Sequence, residues 1–98
     1  MEKIEIFNSR MLEQVGPGSS AKELVGHIVR SALEVEYGAA FTLNPGFAKM
    51  VSKIADGIVS NPELRRQALS IASVYMDKKI EETRLRKVSA ASQVKGGK

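Results

Sequence analysis

The chain has 98 residues, enough for one domain with a single modest core. It has no cysteine and one histidine, which leaves neither a disulfide framework nor a Cys/His zinc site. Its net charge of +4 is unevenly placed, with residues 1–60 at −1 and the remainder at +5. No apolar run approaches the roughly 18 residues that a membrane-spanning helix needs, and the charged start MEKIEIFNSRM lacks the apolar centre of a secretory signal. The expected location is the cytoplasm, away from any membrane.

From Glu2 to Val15, Ile4, Phe7, Met11 and Val15 recur at helical steps between charged residues, predicting an amphipathic helix. Gly16-Pro17-Gly18-Ser19 ends it, and the flexibility of that connection leaves open whether the helix packs on its own chain or on a second copy. Ser20-Ala21-Lys22-Glu23 has capping-box spacing and opens a second helix, whose apolar face is Leu24, Val25, Ile28, Val29, Ala32 and Leu33. Gly38 supplies its stop. The connector Ala39 to Leu43 is too apolar for a solvated linker, so Phe41 and Leu43 are expected to plug one end of the core. Asn44-Pro45 reads as a cap and first turn for a third helix carrying Phe47, Met50, Val51, Ile54, Ile58 and Val59.

The fourth helix is the longest pattern. Asn61 and Pro62 mark its start, and no Gly or Pro interrupts it from Leu64 to Lys87. At about 100° per residue its apolar positions form two stripes. Leu64, Ala68, Ile71, Ala72 and Tyr75 make one, and Leu69, Met76 and Ile80 make the other. Together they cover more of the circumference than one-sided packing requires. Two neighbours within the monomer would explain this, and so would a seam with another copy of the chain. The polar tail 89–98 offers too little apolar surface to offset its ordering entropy and is expected to be flexible and basic.

The catalytic inventory is thin. His27, with Glu23 one turn before it, finds no third partner at ligand spacing, and a lone histidine bordering an apolar face is ordinarily structural. No cofactor cradle occurs, and the Gly16–Ser20 stretch lacks a phosphate-loop pattern. The chain therefore reads as an all-α domain of four helices, near 2–15, 20–37, 45–59 and 62–88, forming a bundle that self-associates, with dimers favoured. Its first three helices are expected to pack on the N-terminal half of the last. The expected function is non-enzymatic: an adaptor, regulator or chaperone-like module binding through Leu69, Met76 and Ile80. Its basic end, Arg84, Arg86 and Lys87, would meet an acidic partner. The alternative is a helix-turn-helix-like DNA binder using Arg65, Arg66 and Gln67 at the start of the last helix. Against it, Glu63 would lie near phosphates, and Arg65 and Arg66 point about 100° apart.

Overall fold

The structure, a computed structural model, describes residues 2–16 and 18–96, with side chains through residue 86. Four α-helices, α1 (Lys3–Gln14), α2 (Ala21–Tyr37), α3 (Phe47–Ser60) and α4 (Pro62–Gly96), form the fold, with a short 3-10 helix at Ala39–Leu43 between α2 and α3. The protein is all-α, and the described residues contain no strand. Among the described residues, no helix is long and apolar enough to cross a membrane.

Local chemistry sets most of the boundaries. The Ser20 hydroxyl accepts from the Glu23 amide at 3.1 Å while the Glu23 carboxylate accepts from the Ser20 amide at 2.9 Å, so the capping box is complete. Such caps contribute about 1 kcal/mol each. The Asn61 side chain likewise accepts from the Leu64 amide at 3.0 Å to open α4. Gly38 closes α2 at φ 90° and ψ 160°, a conformation essentially restricted to glycine, while its amide donates to the Glu34 carbonyl at 2.7 Å.

Two expectations about the connector fail. Leu43 does not plug the core: it is 82% exposed. Phe41 alone turns inward, its ring 4.9 Å from that of Tyr37 and 5.8 Å from that of Phe47. Asn44 does not cap α3, because the preceding segment is already helical to Leu43. The Asn44 amide is spent on the Phe41 carbonyl and its own carbonyl on the Phe47 amide, so Pro45 and Gly46 form a turn and α3 starts at Phe47 without a side-chain cap.

The helix at the centre is α2, which touches α1, the 3-10 helix, α3 and α4. The interior divides into two clusters. Val25, Val29, Ala55 and Ala68 bring together α2, α3 and α4, with Val51, Ile58, Val59 and Leu69 packed around them. Met11, Val15 and Tyr75 bring α1 onto α4, with Phe7, Leu12, Leu24 and Met76 around them, and Ile28 borders both clusters. Burying a side chain such as Val25 contributes about 1.5–3 kcal/mol. Small residues, Ala55, Ala68 and Ala72, lie fully or almost fully buried where α3 and α4 approach the core.

α1 is held by polar contacts as well as by packing. Arg10 pairs with Glu34, Gln14 Nε2 donates to the buried Ser31 hydroxyl at 2.9 Å, and the Tyr75 hydroxyl donates to the Asn8 side chain. No basic residue of α1 lies in its own last turn. Lys79 from α4 fills that role, donating from Nζ to the Leu12 carbonyl at 2.9 Å, where a cation is favoured by the helix dipole. Every buried side-chain nitrogen and oxygen among the described residues has a partner.

Lys79 is also where α4 leaves the body. The 35 residues of α4 span about 52 Å, which sets the 54 Å long dimension of the molecule. The helix continues past Val88, its expected end, to Gly96; residues 97 and 98 of the expected tail lie outside the described residues.

Candidate interaction surface

The apolar arc of α4 is divided between the core and solvent. Ala68, Ala72 and Tyr75 face the body and are buried. On the flank turned away from it, Leu64, Ile71, Val74 and Leu85 remain 45%, 46%, 51% and 56% exposed. With the polar Gln67, Lys78 and Glu81 at the intervening positions they follow alternating steps of three and four residues, the average of about 3.5 that defines a coiled-coil seam. Isolated exposed apolar residues are ordinary, whereas these four lie on one flank of one helix.

The residues singled out in the sequence fall elsewhere. Leu69 and Met76 are half-buried, packed against the first and second core clusters of their own chain. Ile80 is 56% exposed, past Lys79 and on the side of α4 opposite the row. Leu64 and Ile71, expected to face the monomer core, instead belong to the exposed row, and Val74 lies outside both expected stripes. The signal for the row was present in the 64, 71, 78, 85 spacing.

Of the two arginines at the start of α4, Arg66 is paired within its own turn. Glu63 accepts from the Arg66 guanidinium and, at 3.1 Å, from Gln67 Nε2. Those hydrogen bonds hold the Glu63 carboxyl below its ordinary range, so this first turn presents a nearly neutral Glu–Arg–Gln group. Arg65 is exposed without an ion pair among the described residues. Farther along, Arg84 donates to Glu81 at 2.6 Å and Arg86 is exposed, while the Lys87 side chain lies outside the described residues.

An open cleft of about 700 Å³ lies between α1 and α2, lined by Arg10, Glu13, Glu23, His27, Arg30 and Glu34 among others. Its charges are mostly committed: Arg10 to Glu34 and Glu13, Glu23 to the capping box, and Arg30 over the Phe47 ring at 5.7 Å. Among the described residues, no three His, Asp or Glu side chains converge closely enough to hold a metal ion.

Comparison of the chain with known protein families, curated proteins and solved structures finds no match.

His27 nevertheless gives the fold a measurable pH dependence. Burial pushes its imidazole below 6.5, against the opposing attraction of Glu23, with Arg30 adding to the depression. The unfolded chain therefore binds a proton that the folded chain resists. Stability is fully present above about pH 6.5 and falls as pH drops toward the lower folded value. Urea titrations between pH 7.5 and 5.5 should show this decline, and a His27→Gln variant should show less of it. Glu23 and Glu63, whose carboxyls also lie below their ordinary range, contribute losses only at lower pH.

Proposed function

We propose that the chain is a non-enzymatic interaction protein that associates through the outer flank of α4. The observation that carries this reading is the row Leu64, Ile71, Val74 and Leu85, exposed in heptad register on a helix that outruns its own body. Residues 80–86 of α4 are all exposed, and an isolated amphipathic helix is marginal in water without a packing partner. The stretch from Arg84 onward carries five basic side chains and no Asp or Glu and is suited to an acidic surface on whatever the assembly meets.

The test is light-scattering mass over a range of concentrations, for the intact chain and for an Ile71→Glu, Val74→Glu double variant. The intact chain should be larger than a monomer and the variant a monomer of unchanged helicity by circular dichroism. An intact chain that stays monomeric at every concentration, with no effect of the substitutions, would defeat the reading.

A further inference from the structure

Resting on that proposal, we infer that the partner of α4 is a second copy of α4, antiparallel, with Lys78 of each chain opposite Glu81 of the other and Val74 opposite Leu85. Three observations converge on this one register.

The first is charge. The exposed row is apolar at Leu64, Ile71, Val74 and Leu85, polar and uncharged at Gln67, and charged at Lys78 and Glu81, with one residue of each sign. In an antiparallel two-helix seam, the first heptad position of one chain packs against the fourth position of the other, and those are the positions of Lys78 and Glu81. A two-fold axis between residues 79 and 80 places both Lys78–Glu81 pairs side by side at the centre. A parallel, in-register pairing would set Lys78 against Lys78 and Glu81 against Glu81, which is repulsive twice over.

The second is register. Sliding the antiparallel pair by one heptad toward the N-terminus places Lys78 opposite Val74 and Glu81 opposite Ile71, burying both charges against apolar groups. Sliding the other way places Glu81 opposite Leu85. Between residues 71 and 88, only the intermediate register pairs charge with charge and apolar with apolar; toward the ends it sets Gln67 opposite Ser92 and Leu64 opposite Lys95.

The third is length. The axis required by charge falls at the midpoint of α4, which runs from Pro62 to Gly96, so the two helices overlap along nearly their whole length. The bodies then lie at opposite ends, and each projecting half runs beside the body-bearing half of the other helix. Competing contacts within the chain are weak, since Arg84–Glu81 is exposed at 67% and 53% and Lys78 stands 5.8 Å from the Tyr75 ring centre.

Sedimentation equilibrium on Lys78→Glu, Glu81→Lys and the charge-swapped double variant tests the register. Each single variant should weaken the dimer at least tenfold, and the double variant should return it to the wild-type constant. Orientation is read independently, because the chain has no cysteine. A short bismaleimide should link Val74→Cys protein to Leu85→Cys protein when the two are mixed, and should not link either protein to itself. Self-linking of Val74→Cys, or single charge variants that dimerise like wild type, would overturn the antiparallel register while leaving association through α4 intact. A wild-type chain that is monomeric would remove both.

Discussion

Replacing Tyr75 by alanine is expected to cost about 3–5 kcal/mol, the range for deleting a buried aromatic side chain. Tyr75 is 7% exposed, packs with Met11 and Val15, meets the Phe7 ring edge-on at 6.0 Å and 70°, and ties its hydroxyl to Asn8. Every one of those partners lies on α1 or just past its end, so truncation at one position removes the apolar centre that docks α1 on α4. Small domains are stable by only about 5–15 kcal/mol, so the loss is a large fraction of the whole. Tyr75→Phe separates the ring from the hydroxyl and should cost only about 1 kcal/mol, the net worth of one hydrogen bond. Urea midpoints at a fixed protein concentration measure both, and an alanine variant within 1 kcal/mol of wild type would mean that α1 does not dock there.

The double glutamate variant of the α4 row is expected to raise the dissociation constant by roughly a thousandfold. Ile71 and Val74 are already half-buried in the monomer, so association can add about half of a full burial, or about 1 kcal/mol per side chain. Two positions on two symmetric chains make about 4 kcal/mol, which corresponds to that factor. Desolvating the new carboxylates adds to it. By the same reckoning the monomer loses about 1 kcal/mol at each position, the worth of the half already buried there, and should remain folded. A dimer that tolerates both substitutions would place the interface on another surface.

The helices themselves were legible in the sequence because their ends carry their own chemistry. Ser20 with Glu23, Asn61 with Pro62, and Gly38 each act within a few residues, so no tertiary information is needed to read them. Asn44-Pro45 shows the limit of that logic: the same two letters do not cap when the preceding residues already form a 3-10 helix that uses the local amide and carbonyl. The face of α4 was harder for a different reason. An apolar arc too wide for one partner implies contact on two sides but does not say which side is the chain's own. That phase is set by Ala68 and Ala72, whose small size lets α4 approach the body and turns Leu69 and Met76 inward with them. Lys79 binds the carbonyl end of α1, where α4 leaves the core.

The division of the interior into two clusters also grades the molecule's internal motions. The cluster of Val25, Val29, Ala55 and Ala68 contains no residue of α1, which packs on the second cluster and is linked covalently through the Gly16–Ser19 connection. α1 can therefore lift away as a unit while α2, α3 and the first half of α4 keep their shared packing. Amide protons of α1 should exchange with solvent through this partial opening, at a lower free energy than those in the middle of α2, whose release requires the whole domain to unfold. Exchange mass spectrometry would show two protection classes, with the boundary at the connection between α1 and α2.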